Sequence, residues 1–224
     1  MTGSEPTEHR LAVTRTARYY TLGDAGPAVR DVWFVCHGYG QLAGSFARGF
    51  RAIASPHRLI VAPEALSRYY TDHAAKQVGA TWMTREDRLA EIEDYVAYLD
   101  TLYEQVLARL DGATQLTVRV LGFSQGVHTV CRWVGLGTVV PDGLILWGSP
   151  GPMDLDYAAV ARKLHAPPVL VVGDRDEYVT PKVIEAETAR FAEAGLALAV
   201  RRFEGGHRLD DETLRALAGV GREP

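Results

Sequence analysis

Apolar runs of strand length alternate along this chain with longer segments whose apolar residues recur every three or four positions. The first dense run is Asp31 to Cys36, reading Asp-Val-Trp-Phe-Val-Cys. Further strands are predicted at Leu59 to Ala62, Leu116 to Leu121, Gly143 to Trp147, Pro168 to Val172 and Leu196 to Phe203. Leu11 to Leu22 reads as an additional N-terminal strand with rougher alternation. Helical segments lie between the strands. The longest predicted helix is Thr84 to Leu110, where Leu89, Ile92, Val96, Leu99, Tyr103, Val106, Leu107 and Leu110 make one apolar face. Thr84 and Asp87 form a capping pair at its start, and Asp111-Gly112 supplies its stop. Shorter helices are predicted at Ala43 to Ala54, Gln125 to Leu136, Leu155 to Leu164, Pro181 to Ala194 and Asp211 to Ala218. Pro63 to Met83 has no clear period and reads as a long functional loop.

Strands alternating with helices imply βαβ units, hence a mostly parallel central sheet with helices on both faces. No repeat or linker interrupts the pattern. The expected organisation is a flexible tail over residues 1–10 and a single α/β domain over 11–224. In such sheets ligands bind at the carboxyl ends of the strands.

Those ends carry the chemistry. The strand ending at Leu121 runs into Gly122-Phe123-Ser124-Gln125-Gly126, and a helix follows. A serine on a tight strand-to-helix turn needs small residues two positions away on each side. The turn lifts its hydroxyl above the sheet and sets it at a helix N-terminus, where N–H groups face developing negative charge. A serine hydroxyl needs a base to become a nucleophile. His207 follows Gly205-Gly206 after the last strand, and Gly173-Asp174-Arg175-Asp176-Glu177 follows the strand before it. The chain order Ser, acid, His is the one this arrangement uses. Asp174, Asp176 and Glu177 are all in reach of the acid role. His37-Gly38-Tyr39-Gly40 closes the first dense strand, and its turn can aim the Tyr39 N–H at the same point as the Gln125 N–H, giving a backbone oxyanion hole. His37 reads as a turn-fixing side chain that bonds its own loop. His128, one helical turn beyond Ser124, reads as a packing residue.

Tyr69, Tyr70, Trp82 and Met83 in the long loop, with Tyr178, are the expected walls of the substrate pocket. Arg68 and Arg85 would favour an anionic substrate if they faced it, though exposed arginines are usually solvated.

The 224 residues carry a formal net charge of −4 with both signs interspersed, so a nucleic-acid partner has no basic footprint here. Cys36 and Cys131 sit in apolar stretches and read as free core thiols of a reducing compartment. No cofactor or metal site is expected. Met1 to Arg10 has no apolar core of a secretory signal, and no apolar run reaches membrane-spanning length. The expectation is a cytoplasmic protein acting on a small-molecule ester without stable membrane insertion. A homodimer stays open.

The motifs His37-Gly38-Tyr39-Gly40, Gly122-Phe123-Ser124-Gln125-Gly126, Gly173 to Val179 and Gly206-His207 resemble the carboxylesterase/phospholipase family of α/β-hydrolases, which includes the acyl-protein thioesterases. The resemblance spans about residues 30 to 215. It implies Ser124 as nucleophile, Asp176 as acid, His207 as base, and Tyr39 and Gln125 as oxyanion donors. Gly79 to Glu86 resembles a bacterial esterase branch. Gln41 stands where the thioesterases usually carry an acidic residue, which argues against protein deacylation. The chemistry implied is two-step acyl transfer on carboxylic esters, with thioesters or lysophospholipids as related substrates. Activity would rise with pH across the ordinary histidine range, about 6 to 7. A peptidase or amidase on the same fold, and a non-catalytic ligand-binding protein, are the competing readings.

Overall fold

The computed structural model describes residues 5–110 and 115–220. Its centre is a seven-stranded sheet. In chain order the strands are β1 (Tyr19–Leu22), β2 (Asp31–Cys36), β3 (Arg58–Pro63), β6 (Thr117–Phe123), β7 (Gly143–Trp147), β8 (Val169–Gly173) and β9 (Ala199–Phe203). They lie in the spatial order β1-β3-β2-β6-β7-β8-β9. Only β1 runs antiparallel to its neighbour, and all other pairs are parallel. The helices are α1 (Ala43–Ala47) continued by a 3-10 turn (Arg48–Ile53), α2 (Arg88–Ala108), α3 (Gln125–Leu136), α4 (Tyr157–Ala161), α5 (Pro181–Glu193) and α6 (Asp211–Leu217).

The strand periodicity of two sorts side chains into two buried clusters. In β2, Val32, Phe34 and Cys36 face the cluster covered by α2, α3, α4 and α5. Trp33 and Val35 face the other, covered by α1, the 3-10 turn and α6. A sheet covered on both faces explains why its central strands read as continuous apolar runs. The edge strand β9 is mostly exposed and carries Arg201 and Arg202, charges that discourage pairing with another chain.

Several predicted elements change. Leu11 to Leu22 shortens to Tyr19–Leu22, and residues 5–18 form no regular structure. Ala43 to Ala54 divides into α1 and the 3-10 turn, a segment that Gly44 and Gly49 weaken as α-helix. Leu155 to Leu164 contracts to Tyr157–Ala161. The long helix begins at Arg88, because Asp87 adopts a left-handed conformation and makes no side-chain cap. The Thr84–Asp87 capping pair is therefore not formed. Instead the Thr84 N–H donates to the Glu91 carboxylate at 2.6 Å. Leu89 is exposed, while Tyr95 and Leu102 join the buried face. Asp111-Gly112 lies outside the described residues.

The largest revision concerns Pro63 to Met83. It is not an aperiodic loop: β4 (Ser67–Asp72) and β5 (Gln77–Thr81) pair there as an antiparallel hairpin with an irregularity between Tyr70 and Asp72. The ribbon is largely solvent-facing, so no apolar alternation marks it. Its four-residue turn lacks glycine; Lys76 takes the positive φ instead, and Asp72 accepts from the Ala75 N–H at 2.9 Å.

Candidate active site

The turn from β6 to α3 holds Ser124 at φ 54° and ψ −119°, far from any relaxed region for a residue with a side chain. Two glycines make the turn possible. A Cβ on Gly122 would lie 2.3 Å from the Gly126 carbonyl oxygen, and one on Gly126 would lie 2.1 Å from the Cys36 oxygen. The end of β2, the elbow and α3 are thus in backbone contact. The Ser124 N–H donates to the Trp147 carbonyl at 2.8 Å, which ties the elbow to β7.

His207 and Asp176 meet across the loops after β9 and β8. His207 Nδ1 donates to Asp176 Oδ2 at 2.9 Å. A carboxylate oxygen accepts, so the proton in this bond belongs to Nδ1. The other oxygen, Oδ1, accepts from the Tyr178 N–H at 2.9 Å. The Asp176 side chain is 1% exposed. This separates the three acids left open by the sequence. Asp174 accepts from the Gly205 N–H at 2.8 Å and so shapes the histidine loop, and Glu177 is exposed.

The imidazole of His207 is wedged from three sides. Phe123 and Tyr178 pack against it with ring centroids at 4.8 and 4.7 Å. Gly148, at φ +69°, leaves room where a Cβ would lie 2.9 Å from His207 Cε1. The loop is pinned by Trp147 Nε1, which donates to the Arg208 carbonyl at 2.9 Å.

Ser124 and His207 line one open cleft of about 660 Å³ together with Gly38, Tyr39 and Tyr178. No hydrogen bond joins the Ser124 hydroxyl to His207 among the described residues; such bonds often close only when substrate is bound. The Tyr39 and Gln125 backbone N–H groups have no acceptor among the described residues. The first residue of a helix has no intrahelical partner for its N–H.

Of the expected pocket residues, Tyr178 lines this cleft and is 67% exposed at its rim. Tyr69 stands behind Tyr39, with ring centroids 5.3 Å apart. Tyr70 points to solvent beside His73 on the hairpin. Trp82 is buried against His37 and Tyr95. Met83 packs on the core with its sulfur 3.3 Å from Arg132 Nη1. Tyr70, Trp82 and Met83 therefore do not wall the Ser124 cleft: the hairpin turns the first outward, and the last two anchor its base. The floor is made instead by Phe46, Phe123 and Leu209 beside Gly49. Phe46 and Leu209 lie in segments read from sequence only as helix and loop, and nothing local distinguishes them from core residues.

His37, His128 and the arginines near the cleft have other surroundings. His37 is fully buried, its Nε2 accepting from the Ala65 N–H at 3.1 Å and its Nδ1 donating to the Gly38 carbonyl at 2.8 Å. Burial pushes its pKa down, which keeps it neutral. Burial and the Arg132 charge likewise push His128 down to about 4. Arg68 is paired with Glu64 at 2.6 Å, and Arg85 lies in solvent. Arg208 donates to the Leu209 and Glu204 carbonyls and to Asp210. Cys36 and Cys131 are free and buried. Among the described residues no helix is long and apolar enough to cross a membrane.

No protein-family model and no curated sequence matches the chain. Solved structures do. A carboxylesterase from Mesorhizobium loti is 21% identical with a TM-score of 0.68, over 93% of this chain and 95% of that one. Esterase PE8 is 20% identical at 0.67, over 92% and 97%. Zea mays acyl-protein thioesterase 2 is 15% identical at 0.62, over 92% and 99%. The chain is similar to each of them in backbone course over more than nine-tenths of its length, and with its mostly parallel seven-stranded sheet it has the α/β-hydrolase fold.

Proposed function

We propose that this protein is a serine hydrolase that cleaves small carboxylic esters through an acyl-enzyme on Ser124. The observation that carries the reading is the Nδ1 to Oδ2 hydrogen bond between His207 and Asp176, made by a buried carboxylate at the cleft that contains a backbone-strained serine. Ser124 combines φ 54° with ψ −119°, outside the left-handed region that Asp87 adopts at φ 46° and ψ 33°, and such a conformation holds strain that an ordinary turn does not require. His207 takes the Ser124 proton as the hydroxyl attacks the carbonyl. Asp176 keeps the imidazole in the tautomer with its Nε2 lone pair free and stabilises the cation that forms. The Tyr39 and Gln125 N–H groups stabilise the tetrahedral oxyanion. His207 then protonates the departing alcohol and activates the water that releases the acid.

The floor of Phe46, Phe123 and Leu209 suits an apolar acyl group. The cleft is open, which suits a small or exposed ester. Arg208 is spent on its own loop, so no anion-binding role is assigned to it. The protein is read as cytoplasmic, consistent with two free buried thiols.

Labelling by a fluorophosphonate, lost in Ser124→Ala, tests the nucleophile. The kcat of that variant is expected to fall on the order of 10⁴-fold or more. A p-nitrophenyl ester chain-length series, run beside an acyl-thioester and a matched amide, sets the substrate class. Wild-type rates in Ser124→Ala would remove the assignment.

A further inference from the structure

We propose that the five-residue segment Gly79–Met83 braces both donors of the oxyanion hole in register, with Trp82 and the Gln125 carboxamide as its positioning residues. The inference rests on the hydrolytic reading above.

The two donors come from distant parts of the chain, the turn after β2 and the start of α3. One segment grips both. At its first end, the Gly40 N–H donates to the Ala80 carbonyl at 2.9 Å, and the Ala80 N–H donates to the Gln41 carbonyl at 3.2 Å. The outer edge of β5 thus pairs with the two residues that follow Tyr39. The approach is close: a Cβ on Gly79 would lie 2.3 Å from the Gly40 oxygen. Trp82 adds a third tie, its Nε1 donating to the His37 carbonyl at 2.9 Å while its ring stacks at 5.1 Å on the His37 imidazole.

At the other end the same segment is held by the side chain of Gln125, whose own N–H is the second donor. Gln125 Oε1 accepts from the Trp82 N–H at 3.1 Å. Its Nε2 donates to the Met83 carbonyl at 2.9 Å and to the Thr81 hydroxyl at 3.0 Å. The Thr81 hydroxyl in turn donates to the Met83 carbonyl at 2.9 Å. The carboxamide is occupied at both ends and has no hydrogen to offer a substrate.

Two N–H groups stabilise a tetrahedral intermediate only when they converge on one oxygen, and a misplacement of about 1 Å costs roughly 100-fold. A bridge five residues long, bonded to the carrier of each donor, fixes their separation. Its effect falls on the transition state, because the negative charge that both donors stabilise develops on that oxygen only there.

The test uses Trp82→Phe, which keeps the ring and loses the indole donor, and Gln125→Met, which keeps length and the backbone N–H. Endpoint fluorophosphonate labelling counts competent sites, so loss of folded protein is separated from loss of rate. Per labelled site, kcat/KM for p-nitrophenyl butyrate is expected to fall about 10- to 100-fold, with KM within about twofold. The Ki of an alkyl trifluoromethyl ketone, which forms a tetrahedral oxyanion on the serine, is expected to rise by the same factor. Unchanged kcat/KM per site in both variants overturns the brace, whatever the melting temperature does. So does a fall in kcat/KM that the ketone's Ki does not follow. Absence of labelling in the wild-type chain overturns the hydrolytic reading itself, and the brace with it.

Discussion

At Gly148 a single missing methyl group makes room for the His207 imidazole, the proposed base. The residue lies at φ +69° just after β7, and an added Cβ would stand 2.9 Å from Cε1 and 3.0 Å from Nδ1 of His207. The imidazole cannot retreat without leaving Asp176 or pressing on Phe123 and Tyr178. Gly148→Ala is therefore expected to lower kcat roughly 100-fold per folded molecule, the cost of moving a reacting group by about 1 Å. Near-wild-type kcat at matched fluorophosphonate labelling would show that the ring has room to spare. Gly148 was silent in the sequence, because it belongs to no motif and its neighbour in space is fifty-nine residues away. Gly122 and Gly126 were legible, since the turn they permit is confined to five consecutive residues. Ser124 and His207 drew notice as candidates because each follows a strand, Ser124 with glycines two positions away on each side and His207 directly after a glycine pair. The residues alone left Asp174, Asp176 and Glu177 open and only the family resemblance pointed to Asp176; in the structure Asp176 is the buried one and the one bonded to His207, while Asp174 is exposed and bonds the Gly205 N–H.

Among the elements, β4 and β5 stand where the sequence suggested a pocket loop, yet none of their residues lines the Ser124 cleft. Expecting Trp82 and Met83 to wall the pocket treated the segment as a loop with its bulky residues turned inward. As a hairpin it presents its backbone edge to the Tyr39 turn and sinks Trp82 beneath it. Strands buried on both faces announce themselves through unbroken apolar runs, whereas a solvent-facing two-stranded ribbon has no such signature. The hairpin is a separate sheet from the seven strands, so it can be disturbed without dismantling them. Gly79→Ala would drive a methyl group into the Gly40 backbone, and neither partner is a flexible side-chain end. Hydrolysis is expected to fall at least about 10-fold while far-UV circular dichroism is retained, given that the displaced Gly40 backbone adjoins Tyr39, whose N–H is proposed as an oxyanion donor. Full activity would mean that the Tyr39 turn keeps its shape without the hairpin.

The whole molecule should respond to acid in two stages. His37 and His128 are both pushed below the ordinary histidine value by burial, and the Arg132 charge acts with it on His128. The unfolded chain therefore takes up protons first as pH falls through about 6.5, and stability drops with it. For His128, held at about 4 in the fold, the loss is complete near that pH and is on the order of 3 kcal/mol. Three carboxylates act lower, Glu64, Asp154 and Asp210, the last bonded by the Thr213 N–H and hydroxyl. Burial alone would raise Glu64, but hydrogen bonds and charge from Arg18 and Arg68 outweigh it and hold its pKa down. Burial is likewise outweighed at Asp154, which Arg88 and Arg132 hold at about 2. The stability these pairs contribute is present above the ordinary carboxylate values of about 4 and is lost as pH falls towards the folded ones. These pairs join separate parts of the chain. Glu64 links the N-terminal segment to the hairpin and accepts from the Ala43 N–H at the start of α1. Asp154 links the loop after β7 to α2 and α3. Thermal midpoints measured from pH 8 to 3 should fall between 6.5 and 4.5 and then more steeply. His128→Gln should flatten the upper stage and leave the lower one, whereas Glu64→Gln should lower the curve at neutral pH and flatten its acid limb. Curves that stay parallel to wild type would assign the acid response to other groups.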